Sequence, residues 1–190
     1  MKKTVIDYTL KIRLPITIFT IVAAFAITYY ISRPERDGVG YAPEQPINFS
    51  HKLHAGNMKI DCQYCHVGAD KGRHATIPAA NICMNCHAIA RRNKPEIIKL
   101  VKYFEDNKPI EWKRIHKLGK FTYFNHSVHV NKSIDCKNCH GDVARMDVLT
   151  QVQPFTMGDC LNCHRNAHSR LPELGDKIKN GPENCYACHR

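Results

Sequence analysis

Three kinds of hydrophobic pattern run along this 190-residue chain. The first is continuous. Eighteen residues from Leu14 to Ile31 carry no charge, and Lys2, Lys3, Lys11 and Arg13 precede them. A run of that length just spans the hydrocarbon core of a bilayer as one helix. The cation excess ahead of it places the N-terminus in the cytoplasm and the remainder of the chain outside. A cleaved signal peptide is the competing reading, with Ala24-Phe25-Ala26 as the small-x-small site. The apolar run continues past that point, and Tyr29 and Tyr30 suit a membrane–water interface, so an uncleaved anchor is the better fit.

The second pattern has helical period. Pro95 to Asp106 places Ile97, Ile98, Val101 and Phe104 on one face, with Pro95 in the first turn and Pro109 beyond the end. Such a helix either connects two parts of the chain and packs on its own domain or docks a partner subunit. The third pattern is a lack of period. Residues 33–46 hold three prolines and two glycines and read as an extended lead-in. Most of the chain beyond residue 46 alternates short apolar groups with cysteine, histidine and polar residues. The expected fold is mainly α with little regular structure.

A repeat organises this region. Phe49-x-His51-x-x-His54 followed by Ile60-Asp61-Cys62 returns as Phe124-x-His126-x-x-His129 followed by Ile134-Asp135-Cys136, about 75 residues later. An internal repeat on this scale is an architectural feature. The predicted organisation is a cytoplasmic N-terminus at 1–13, a transmembrane helix at 14–31 and a linker at 32–46. A first module with two C-x-x-C pairs occupies 47–93, a connecting helix and loop 94–120, and a second module with three such pairs 121–190.

The cysteines carry the chemistry of these modules. All ten fall into C-x-x-C pairs, each followed at once by histidine: Cys62, Cys65 and His66; Cys83, Cys86 and His87; Cys136, Cys139 and His140; Cys160, Cys163 and His164; Cys185, Cys188 and His189. C-x-x-C-H is the attachment motif of c-type haem. Positions i and i+3 of a helical turn present two thiols to the vinyl groups on one porphyrin edge, and the histidine at i+4 ligates the iron. Zinc needs no histidine directly after the second cysteine. Disulfides closing such short loops would add little stability. Five covalently bound haem c groups are therefore expected, and they would fill the interior of a chain with little apolar side-chain area of its own.

The polypeptide's formal charge of +11 then changes meaning. Five haems bring about ten propionate charges, leaving the holoprotein near +1 when ferrous and about +6 when ferric. The basic residues are counter-charges, and no recognition motif supports nucleic-acid binding.

Each iron needs a sixth ligand, and seven histidines lie outside the motifs. His51 and His126 are assigned to the haem of the following motif, and His54 and His129 to the next haem along. For the fifth haem Met157, His116 and His168 compete, since His/Met and bis-His ligation are both ordinary. His74 reads as a surface histidine and Trp112 as packing. No residue of the chain is expected to be catalytic, because the supply of ligands exceeds demand and leaves no open iron.

The F-x-H-x-x-H phrase before C-x-x-C-H resembles the cytochrome c7 and c3 class of small multihaem proteins. A closer resemblance is to the pentahaem subunit of alternative complex III. It rests on Ile60 to His66, Ala75-Thr76-Ile77-Pro78, Cys83-Met84-Asn85-Cys86-His87, Pro109 to His116, Cys139-His140-Gly141-Asp142-Val143 and Met157 to Arg165. That resemblance implies c7/c3-like tandem modules behind one N-terminal transmembrane helix. It implies an electron-transfer subunit of a quinol-oxidising respiratory complex, single-pass in the inner (cytoplasmic) membrane, with its haem domain on the periplasmic or outer side. The implied partners are an iron–sulfur subunit, an integral quinol-oxidising subunit and an acceptor cytochrome or terminal oxidase. Two rivals remain: a stand-alone membrane-anchored quinol dehydrogenase feeding a periplasmic reductase, and a multihaem catalytic reductase.

Overall fold

The computed structural model describes residues 7–32 and 38–189, which fall into two compact units divided after residue 37. Lys2 and Lys3, and the start of the proline-containing lead-in, lie outside the described residues. In the N-terminal unit, helix α1 runs from Leu14 to Ile31, the bounds of the uncharged run, and a π-helical turn at Thr9–Arg13 leads into it. Its eighteen residues rise about 27 Å. Apolar side chains face outward all round it, with no polar stripe to lie against water. The Thr17 and Thr20 hydroxyls are satisfied within the helix, donating to the Arg13 carbonyl at 2.9 Å and to the Ile16 carbonyl at 2.8 Å. An apolar solvent demands this internal pairing of polar groups.

The second unit is built from short helices joined by long irregular segments, and no strand occurs among the described residues. Its helices are α2 (Cys62–Cys65), α3 (Ala80–His87), α4 (Pro95–Glu105), α5 (His126–Val130), α6 (Lys137–His140), α7 (Met157–Arg165), α8 (Ala167–Arg170) and α9 (Cys185–Cys188). Two small side-chain cores hold it. Ile47, Ala80 and Leu100 form one, with Cys83, Met84, Ile97, Tyr103, Ile110 and Trp112 packed around them. Ala167, Leu171 and Ile178 form the other, beside Ile134, Cys163 and Leu174. Trp112 therefore packs, as its sequence context suggests.

Helix α4 forms where Pro95 and the apolar period place it, but its inner face is displaced from the one expected. Ile97, Leu100 and Tyr103 meet the core, and Leu100 is 4% exposed. Ile98 and Phe104 stand exposed. The rotation follows from the N-terminal turn. There the Glu96 carboxylate accepts from the Asn48 amide at 2.7 Å and from Lys99 at 2.7 Å, fixing α4 against the segment that carries Ile47. Burying Leu100 contributes about 2 kcal/mol.

Candidate haem-binding sites

Each C-x-x-C-H motif forms one tight helical turn. In the first, third and fifth motifs the histidine amide donates back to the carbonyl of the first cysteine, at 2.9, 2.9 and 2.8 Å. The second and fourth motifs lie inside α3 and α7. Local sequence explains the starts. Asp61 and Asp135 accept from the backbone two residues on, at 2.7 and 2.9 Å. Thr156 and Asp159 make a reciprocal capping box at the head of α7. Asn184 accepts from Ala187 at 3.0 Å. The Ile-Asp-Cys phrase of the repeat thus has a structural reason, which its recurrence hinted at without explaining. None of the ten cysteines is paired with another in a disulfide.

The histidines outside the motifs meet those inside them in a regular way. The ring of His54 lies 6.2 Å from that of His87, His126 lies 6.5 Å from His140, and His129 lies 6.3 Å from His164. Two metal–imidazole bonds of about 2.0 Å, with roughly 1.15 Å from each ligating nitrogen to its ring centre, separate ring centres by about 6.3 Å. The three distances fit pairs of imidazoles on opposite sides of one iron. His51 lies within electrostatic reach of His66. The aromatic rings of the repeat hold the pairs. Phe49 stacks on His54 at 4.4 Å and meets His51 edge-on at 4.9 Å. Phe124 does the same to His129 at 4.6 Å and His126 at 4.8 Å.

The second ring nitrogen is equally informative. Nδ1–H donates to a backbone carbonyl in His66 (Thr76, 2.7 Å), His87 (Ala90, 3.0 Å), His164 (Pro182, 2.6 Å) and His189 (Phe121, 3.0 Å). So do His54 (Ser50, 2.9 Å), His126 (Arg73, 2.8 Å) and His129 (Asn125, 2.8 Å). A carbonyl on Nδ1 fixes the tautomer that leaves Nε2 free to ligate, as in other metal-bound histidines. Burial, and then the neighbouring imidazoles, hold His51 and His140 down at about 4. Burial likewise lowers His116 and His129. These rings are neutral at pH 7, the form a metal requires. This donor set of thiol pairs and facing neutral imidazoles fits haem c.

The candidates for the fifth motif are placed differently from one another. His116 packs edge-on against His140 of the third motif at 4.4 Å, with its Nε2 buried and without a hydrogen-bond partner. His168 is exposed on α8. Met157 opens α7, is 67% exposed, and lies one turn from Cys160, whose thiol is within electrostatic reach of Cys188. His74 is exposed and lines a shallow pocket with Arg73, Arg114 and Lys120.

Residues that the motifs did not reveal hold the two repeat copies together. The Lys52 amide donates to the Met146 carbonyl at 2.9 Å, and Asp147 accepts from Ser50 at 2.7 Å and Lys52 at 3.1 Å. The Ser127 amide donates to the Gly72 carbonyl at 3.1 Å, and the Asn131 side chain to the Asp70 carbonyl at 3.0 Å.

Residues 122–190 match the family described as cytochrome c7 and related cytochrome c. The chain is also 29% identical over 171 residues to a protein of Nitratidesulfovibrio vulgaris (strain Hildenborough) named menaquinone reductase, multiheme cytochrome c subunit, with 77% of each chain covered.

Proposed function

We propose that this multihaem cytochrome c of electron transport carries five haem c groups, one at each C-x-x-C-H motif, and serves as the electron-transfer subunit of a membrane quinone-linked respiratory complex. The observation that carries the reading is the set of facing imidazole pairs at 6.2 to 6.5 Å, each with one ring from a C-x-x-C-H motif and one from outside it. Bound haem c supplies a one-electron iron couple at each motif. The chain's residues do the rest. The cysteine pairs form the thioether bonds. His66, His87, His140, His164 and His189 ligate from the motif side, and His51, His54, His126 and His129 from the other. Backbone carbonyls on Nδ1 hold the rings in place. Met157 serves the fifth motif, since α7 sets it on one face with Cys160, within electrostatic reach of Cys188. His116 braces His140. Two protein ligands to each iron would leave none open to a substrate.

Helix α1 is the anchor, and the haem domain works on the outer side of the membrane, where the cations ahead of Leu14 direct it. The resemblance to the pentahaem subunit of alternative complex III favours a complex that oxidises quinol and sends electrons on to a cytochrome or oxidase. A second reading, in which electrons run towards the quinone, is favoured by the relative named menaquinone reductase. Purification from membranes in mild detergent tests the assignment. Integral and iron–sulfur subunits are expected to accompany the protein; recovery of the chain alone would reject it. In the purified complex, haem reduction on adding menaquinol supports the first direction. Reoxidation of reduced haems on adding menaquinone supports the second.

A further inference from the structure

The repeat copies touch each other reciprocally. Residues up to Gly56 correspond at an offset of 75, and residues from Lys59 onward at 74, so Lys52 matches Ser127, Gly56 matches Asn131, Asp70 matches Ala144 and Gly72 matches Met146. The Lys52 amide donates to Met146, and its counterpart Ser127 donates to the counterpart of Met146, Gly72, at 2.9 and 3.1 Å. Asn131 bonds the carbonyl of Asp70; its counterpart Gly56 abuts the carbonyl of Ala144, so closely that a Cβ there would run into it. Even the left-handed residues before the motif correspond, Lys59 at φ 57° and Ser133 at φ 60°. When i meets j and the counterpart of i meets the counterpart of j, the contact is isologous and the units are related by a two-fold axis.

On such an axis a residue meets its own counterpart. Cys62 contacts Cys136, and His66 is a neighbour of His140. The first motif of each copy therefore lies at the centre. The second motif of each copy lies outside it in the same manner: Cys65 neighbours Cys83 and Cys86, with Asn85 donating to the Tyr64 hydroxyl at 3.1 Å, and Cys139 neighbours Cys160 and Cys163. The fifth motif extends one end only. The His164 ring donates to the Pro182 carbonyl at 2.6 Å, Arg165 pairs with Glu183 at 2.8 Å, and Cys160 neighbours Cys188.

We propose that the two copies are related by a pseudo-two-fold axis between the first and third motifs, and that the five haems consequently form one unbranched row in the order second, first, third, fourth, fifth motif. The proposal rests on haem attachment at all five motifs. Tunnelling falls steeply with distance, so neighbours in the row exchange electrons fastest, and the chain's outer contacts are made through the second- and fifth-motif haems. The row is not the order of the motifs in the sequence, because a two-fold relation reverses the first module.

The test is the position of the irons in the purified full-length protein, located by anomalous diffraction at the iron edge and assigned to motifs by the surrounding density. Irons of the first and third motifs should be each other's neighbours across the modules, with the second and fifth farthest apart. Five irons at the motifs, but with the second nearer the third than the first, or the fifth beside the first or second, would overturn the row while leaving the haem reading intact. Fewer than five irons, or irons away from the motifs, would reject the haem reading and the row with it.

Discussion

In residues 49–54 the phenylalanine ring lies 4.4 Å from the second histidine and 4.9 Å from the first; in residues 124–129 the corresponding separations are 4.6 and 4.8 Å. The angles agree as closely, 24° and 87° against 26° and 88°. The first histidines are nevertheless fastened differently. His126 donates its Nδ1–H to the carbonyl of Arg73, from the other copy. His51 keeps its Nδ1 buried and without a hydrogen-bond partner. The residue matching Arg73 is Asp147, and its side chain grips Ser50 and Lys52 on either side of His51 instead. The same ring placement is thus reached through a direct hydrogen bond in one copy and through the flanking residues in the other. Ring packing sets the geometry, and the clasp between copies only fixes it.

Attachment itself should matter most. The side-chain cores are small clusters around Leu100 and Leu171, too little apolar burial to offset the entropy of ordering a haem-free chain. Protein made without haem attachment is expected to show no cooperative thermal transition by circular dichroism. A native-like melt would show that side chains alone suffice. The two copies should respond alike to loss of a ring: His51→Ala and His126→Ala each convert one haem to a high-spin or substitute-ligand form and leave the others low-spin. Unchanged spectra in both variants would remove these histidines from the ligand set. A collapse of several haems in one variant would show that its copy depends on the ring for more than ligation.

Much of this was legible in the chain itself. The uncharged run from Leu14 to Ile31 coincides with α1, and Pro95 begins α4, because both signals are local. The motifs and the repeat point to haem attachment, since thioether attachment dictates its own spacing. The inner face of α4 was not legible. Its apolar residues, Ile97, Ile98, Leu100, Val101, Tyr103 and Phe104, cover too much of the circumference for period alone to orient it, and the Glu96 contact to Asn48 decides. The clasp was hidden for a different reason. It is made largely by backbone atoms of Gly72 and Met146 and by the bare α-carbon of Gly56, and main-chain partners leave no side-chain pattern to read.

The copies also differ ahead of their second motifs, where Ala79 to Ile82 in one offers no ligand and Met157 stands in the other. Thioether ligation favours ferrous iron relative to a second imidazole, so the fifth-motif haem should have the highest potential of the five. Met157→His should lower that potential selectively and abolish the ferric thioether charge-transfer band. Loss of neither would return the role to His116 or His168. A smaller effect is expected at Gly56 and its counterpart. Gly56→Ala forces a Cβ onto the Ala144 carbonyl, a backbone atom that must shift, at a cost of about 1–3 kcal/mol. Asn131→Ala loses one exposed hydrogen bond, worth about 0.5–1.5 kcal/mol. Denaturant melts of both holoproteins measure the difference, and equal destabilisation would mean that the two halves of the clasp are not as unlike as their side chains.

The smallest effect should come from Asp147, which only the first copy uses. Its carboxylate is solvent-exposed, and hydrogen bonds from Ser50 and Lys52 hold it below the usual aspartate range. A carboxyl whose folded pKa is depressed stabilises the fold above its ordinary titration and loses that contribution as the pH falls through the folded value. Asp147→Asn should therefore melt slightly below the wild type at neutral pH and low ionic strength. The gap should close below about pH 4, where the wild-type carboxyl also takes up its proton. Added salt should narrow it at neutral pH, because the Lys52 contact at 3.1 Å is solvent-exposed and screened. A gap that persists unchanged through acid and salt would mean that the charge is irrelevant and that only the shape of the Asp147 side chain seats Ser50 and its neighbour His51.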